Sequence, residues 1–197
     1  MEAADRAVNR HYARPAVYGR IQRLLQNQDD LDALTRRRLQ RLARAYRAKQ
    51  APLEILDRIT SAEAAVQETY STFRARFEGR AVQDNELEDI LRVSTDSARA
   101  HAAWEARKQI GPVVSDELRR LAHLRNDAGR AIGFADYWHA QLLLDELDPE
   151  RLVGTLDQVE AATRAPFMAM KADLDGHLAR RFNVSVAELR PWHYADP

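Results

Sequence analysis

Cysteine is absent from the 197-residue sequence. Without it there is no disulfide framework, no Cys-based zinc site and no thiol nucleophile. No stretch approaches the roughly 18 apolar residues of a membrane span. The first twenty residues, MEAADRAVNRHYARPAVYGR, lack the apolar core of a secretory signal, so a cytoplasmic location is the expectation. Charge of one sign is missing too. The 30 Lys and Arg cancel the 30 Asp and Glu, which removes any global pull toward nucleic acid or an anionic membrane. Glycine and proline number only 7 each and fall between periodic segments, and strand-like alternation is nearly absent. What remains, 45% hydrophobic and 30% charged residues, is the composition of a soluble globular chain forming one domain or one piece of a larger one.

The abundant residues are helix formers, and 27 of the 30 cations are Arg. The spacing predicts helices over about 15–28, opened by Pro15, and about 30–48, capped by Asp29 or Asp30. A long helix over 53–77 keeps Leu53, Leu56, Ile59, Ala62, Val66, Tyr70, Phe73 and Phe77 at a 3–4 spacing. Gly79 and Gln83-Asp84-Asn85 mark a turn, with a few extended residues near Phe77–Val82. Asp84 or Asn85 then caps ELEDILRV, and Ser94-Thr95-Asp96 caps a helix over 95–110. Gly111-Pro112 reads as a stop and restart, and Gly133 as a left-handed C-cap after helix 113–131. Asp136 opens the next helix, to about 146, and Asp148-Pro149 opens another that Pro166 should kink or split. Leu174, Leu178 and Phe182 continue its stripe, and Ser185 with Glu188 fits a capping box. The fold class is all-α.

Chemistry-bearing motifs are scarce. A helical zinc site needs two His one turn apart, and none of His11, His101, His123, His139, His177 and His193 stands so. Asp136 with His139 is the nearest pair, and capping with polar exposure is its ordinary reading. His193, within Pro191-Trp192-His193-Tyr194, joins a His to aromatics, and the ordinary reading is a satisfied, partly buried His. There is no nucleophile elbow, P-loop or dinucleotide fingerprint. The carboxylates Glu86, Glu88 and Asp89, and Asp145, Glu146 and Asp148, read as helix-dipole partners or solvated groups. Arg36, Arg37, Arg38, Arg41, Arg44, Arg47 and Lys49 run without an acid among them, with Arg37, Arg41, Arg44 and Lys49 able to line part of one helix. A nucleic-acid stripe would need interleaved aromatics that are not there, so a solvated or substrate-facing helix is expected.

Several words in the sequence resemble a known family. They are Ser94-Thr95-Asp96-Ser97, Ala103-Trp104-Glu105, Leu124-Arg125-Asn126, Gly133-Phe134-Ala135-Asp136-Tyr137 and Pro191-Trp192-His193-Tyr194-Ala195-Asp196-Pro197. In this order and spacing, the stretch from Asp84 to Pro197 resembles the N-terminal half of bacterial zinc metallopeptidases. These are relatives of angiotensin-converting enzyme (the peptidyl-dipeptidase A family) and more distantly of thimet-type oligopeptidases. Residues 1–83 fit more loosely, as the family's lid-type helices, and 84–197 as a helical cleft wall apparently truncated at 197.

The resemblance implies a helical ellipsoid with a long cleft and removal of dipeptides or short fragments from peptide substrates by a zinc-bound water. It implies that the zinc motif lies downstream of Pro197. No residue of this chain therefore inherits a catalytic, cofactor-binding or metal-ligating role, and zinc belongs to the complete enzyme, not to this chain alone. The expected partners are a peptide substrate and the missing C-terminal catalytic half, with no nucleic acid and no membrane. The family's animal members carry a chloride site whose Arg and Tyr correspond here to His139, after Trp138, and Phe182, after Arg180-Arg181, so chloride activation is not expected. The alternative is a non-catalytic helical peptide-binding or regulatory module that kept the scaffold.

Overall fold

The computed structural model describes residues 2–27 and 30–195. These form α1 (Glu2–Tyr12), α2 (Pro15–Gln26), α3 (Ala33–Arg47), α4 (Leu53–Thr72), β1 (Ala75–Phe77), β2 (Arg80–Val82), α5 (Asp84–Val93), α6 (Ser97–Lys108), α7 (Ile110–Ala131), α8 (Tyr137–Leu144) and α9 (Pro149–Phe182). Short 3-10 turns follow at Val186–Glu188 and Pro191–Tyr194. The class is all-α, as the periodicity implies. The chain divides into two compact units: the residues up to Gln67 with Glu117–Gly154, and Glu68–Asp116 with the residues from Thr155 on.

In the first unit α2 and α3 close on each other around Ile21, Ala43 and Tyr46. Pro15 suits the first turn of α2, where its missing N–H has no intrahelical acceptor to serve. The cap of α3 is Asp32, not Asp30; Asp29 lies outside the described residues. One Asp32 oxygen accepts the N–H groups of both Leu34 and Thr35 at 3.0 Å, two bonds that fix the start. Further along, Ala51, Leu56 and Ala128 form one cluster, and Ala62, Leu121 and Leu124 another. Helix α1 has no counterpart in the sequence reading. Its one buried residue is Asn9, and polar bonds hold it to α4: Arg6 Nη2 to Ser61 Oγ at 2.8 Å and Asn9 Nδ2 to Thr60 Oγ1 at 3.2 Å. Apolar periodicity does not register anchoring of that kind.

In the second unit β1, β2, α5, α6 and the end of α9 share one core of Phe77, Val82, Leu87, Leu91, Leu178 and Phe182, with Ala100, Ala103 and Ala106 as the close-packed face of α6. The hairpin register pairs Ala75 with Val82 and Phe77 with Arg80. Glu78 (φ 49°) and Gly79 (φ 80°) both take the left-handed turn geometry that suits a two-residue antiparallel loop.

Helix α4 ends at Thr72, so Phe77 lies on a strand and not on the predicted helical stripe. The hydroxyls of Ser71 and Thr72 bond back to the Glu68 carbonyl, and Arg74 takes the carbonyls of Ser71 and Phe73, which offers the backbone an exit. Neither Asp84 nor Asn85 caps α5. The cap is Gln83, and the Asp84 carboxylate is held by Arg107 through two bonds of 2.8 Å. Gly111-Pro112 does not separate two helices, because α7 already begins at Ile110. Proline is tolerated there because first-turn N–H groups lack intrahelical acceptors. Nor does Pro166 split α9, which is continuous over 34 residues. Residues 155–170 are exposed, so the Ala162 carbonyl that loses its donor is free to bond water.

Candidate substrate-facing site

The words that carry the resemblance assemble locally in each unit. In the second unit His193 is 2% exposed and joins two of them. Its Nδ1 accepts the Arg190 N–H at 2.9 Å, which places the ring proton on Nε2, 2.7 Å from Ser97 Oγ. Ser97 also accepts Trp192 Nε1–H at 3.3 Å. The serine oxygen is thus an acceptor for both rings, the reverse of the polarity by which a His activates a Ser nucleophile. Trp192 stacks on His101 at 3.9 Å and lies 6.0 Å from Trp104, while Phe182 packs 4.6 Å from His193. Burial, and then the charge of Arg190, hold the His193 pKa below its ordinary 6.5. Lys171, Asp175 and Tyr194 form an adjacent polar triangle: Lys171 Nζ donates to Asp175 at 2.7 Å and to Tyr194 Oη at 3.1 Å, and Tyr194 donates to Asp175 at 2.7 Å. The i,i+4 spacing of Lys171 and Asp175 was readable, but the arrival of Tyr194 was not.

In the first unit Asn126 Oδ1 accepts the Tyr137 N–H at 3.1 Å, Arg125 lies 5.5 Å from the Tyr137 ring, and Arg47 lies 4.3 Å from Phe134. Gly133 (φ 87°) ends α7 as its C-cap. Asp136 caps α8, accepting both the backbone N–H and the Nδ1 of His139 at 2.9 Å, and these bonds hold its pKa below the ordinary carboxylate range. The pair is a capping arrangement, as its spacing suggests.

The arginine run of α3 does not simply face water. Glu146, read from sequence as a dipole partner or solvated group, receives Arg37 through both carboxylate oxygens and Arg44 at 2.9 Å. Its hydrogen bonds to Arg37 keep its carboxyl well ionised. Glu146 stands at φ 65°, the left-handed position after α8 that glycine usually fills, with the Leu147 N–H returning to the Leu142 carbonyl at 2.8 Å. Nothing in local sequence signals a Glu in that conformation, since its partners lie about a hundred residues away.

Among the described residues a zinc ion of the kind the resemblance implies finds no fitting donor set. Among the described residues no three of His, Asp and Glu stand together as ligands. Both His193 nitrogens are engaged, and Asp136 with His139 has no third donor beside it. Among the described residues no helix is long and apolar enough to cross a membrane.

The peptidase family described as angiotensin-converting enzyme matches residues 3–187, and the chain belongs to that family. No curated protein and no solved structure matches it.

Proposed function

We propose that the chain forms the lid and substrate-channel wall of a zinc-dependent peptidase of bacterial type, a peptidyl-dipeptidase or oligopeptidase with thimet-type enzymes as distant kin. The observation that supports this reading is the family match over residues 3–187. The chain's part is then to bind, orient and enclose a peptide. Residues 1–83 act as lid helices and 84–197 as cleft wall. A catalytic half bearing zinc completes the enzyme, in the cytoplasm and without nucleic acid or membrane.

The test compares the 197-residue chain with the polypeptide read on to the end of its gene, with and without zinc. The chain alone is expected to be inactive and to hold zinc weakly. The longer product is expected to release dipeptides or short fragments in a chelator-sensitive way. Tight stoichiometric zinc in the chain alone overturns the ligand argument. One observation favours a second reading, a non-catalytic peptide-binding or regulatory module: His193, the centre of the last family word, is wholly committed to structural bonds. A stop codon directly after Pro197, or a longer product without zinc or activity, selects that module.

A further inference from the structure

Residues 155–170 of α9, all within the second unit, are exposed on every side. A helix of this length draws most of its stability from packing an apolar face, and the interior Pro166 weakens it further. Its apolar side chains are not scattered. Leu156, Val159, Phe167 and Met170, each 53–57% exposed, recur at a 3–4 spacing with Thr163 in the middle. All five fall within about 80° of the helix circumference. Thr163 Oγ1 bonds back to the Val159 carbonyl at 2.7 Å, so its hydroxyl needs no outside partner. A charged edge runs beside this stripe, with Asp157 and Glu160 before Thr163 and Arg164 after it. Arg164 Nη2 meets Glu160 Oε1 at 2.5 Å, in the open. Lys171 continues the edge, but Asp175 and Tyr194 hold it. The opposite edge, Ala162, Pro166 and Ala169, is small and uncharged. An exposed i,i+4 pair adds little to stability by itself. Its order, acid then base, is what makes the edge complementary to its own reverse.

We propose that this stripe packs against the same stripe of a second copy of the chain, antiparallel, about a twofold axis through Thr163. Leu156 and Met170 stand seven positions either side of Thr163, and Val159 and Phe167 four. In that register Leu156 faces Met170 of the partner subunit and Val159 faces Phe167 of the partner subunit, so every apolar side chain meets an apolar one. Arg164 of the partner subunit falls two residues, about 3 Å along the axis, from the level of Glu160. The two Glu160–Arg164 pairs then close into a ring of alternating charge. A parallel pair would set Glu160 against Glu160 and Arg164 against Arg164, so the charges choose the direction. One patch serves both copies, as an isologous contact requires. An unrelated partner would have no use for apolar positions placed symmetrically about Thr163. The inference does not draw on the peptidase reading.

Sedimentation velocity of the full 197-residue chain should show a reversible monomer–dimer equilibrium. Glu160→Arg or Arg164→Glu alone sets like charges across the axis and should weaken the dimer about tenfold or more. An equimolar mixture of the two variants should restore it, because one chain then brings only bases to the ring and the other only acids. The chain carrying both substitutions should dimerise as the natural one does. Both residues are exposed, so the variants are expected to fold, with circular dichroism verifying their helix content. Direction is read separately. The sequence has no cysteine, so single-cysteine variants report one contact each. On mild oxidation, a mixture of Leu156→Cys and Met170→Cys chains should cross-link to each other in preference to themselves. The proposal is overturned by a chain that stays monomeric up to about 0.5 mM, or by association indifferent to the charge variants. A mixture no stronger than its parts, or cross-links chiefly between identical variants, overturns it equally. Its failure leaves the peptidase assay of the longer polypeptide to decide the other question.

Discussion

His193 is a basic side chain that the fold keeps neutral. Its Nδ1 faces a backbone donor, the Arg190 N–H, so a second ring proton would oppose that N–H in a site that is 2% exposed. The folded pKa lies below the ordinary 6.5, so between the two values the unfolded chain binds a proton that the native one refuses. Its contribution to stability is therefore complete above about pH 6.5 and is lost as pH falls below that value toward the folded pKa. Glu146, Asp136 and Asp175, whose pKa values are also lowered, act in a more acidic window, below their ordinary 4.5, 3.8 and 3.8. Urea unfolding between pH 5 and 8 should show stability falling on the acid side, and His193→Ala should flatten that slope. It should also cost about 2–4 kcal/mol at neutral pH, from lost packing and two unanswered partners. A second residue-scale prediction concerns Gly129. A Cβ there would meet the Asp136 carbonyl oxygen at 2.7 Å and the Tyr137 nitrogen at 2.9 Å, both backbone atoms with little room to give. Gly129→Ala should destabilise by about 1–3 kcal/mol in the same unfolding assay, although alanine is the better helix former.

At the scale of elements, Pro166 offers the sharpest test. It interrupts the hydrogen-bond ladder of α9 in a stretch that is exposed on every side, so no packing depends on it. Pro166→Ala restores the donor to the Ala162 carbonyl and should raise helix stability by up to about 3 kcal/mol. Slower amide exchange over residues 163–170 would verify this. The same helix shows what sequence can and cannot carry. Caps built from adjacent residues were readable: Asp96 at α6, Asp136 at α8, Gly133 after α7 and Ser185 with Glu188. Each is a short-range bond whose donors and acceptors lie within a few positions. Features set by distant partners were not. Helix α1 rests on Ser61 and Thr60, Asp84 turns to Arg107 instead of capping α5, and Glu146 adopts a left-handed backbone among arginines of α3. The family words were readable one by one. That Ser97 and His193, 96 positions apart, meet through a hydrogen bond was not.

For the whole molecule the weight falls on apolar side chains that stay in water. Single exposed apolar residues are ordinary, but Leu156, Val159, Phe167, Met168 and Met170 cluster within fifteen positions of α9, each 53–57% exposed. The stripe Leu174, Leu178 and Phe182 farther along the same helix is by contrast packed into the second unit's core. Full burial of such a side chain yields about 1.5–3 kcal/mol, so residues half in water forgo roughly half of that. The segment is therefore where a hydrophobic dye should bind and where self-association should begin as concentration rises. Replacing Leu156 and Phe167 together by Glu should reduce dye fluorescence severalfold and lower the sedimenting fraction, with the urea midpoint nearly unchanged because no core contact is removed. A fall in the midpoint would mean that these side chains are structural, and unchanged dye binding would place the sticky surface elsewhere. If the proposed catalytic half completes the enzyme, the same double substitution in the longer polypeptide should instead lower its stability, because side chains that gain little while exposed contribute burial energy once a partner covers them, and a charge there would lose it.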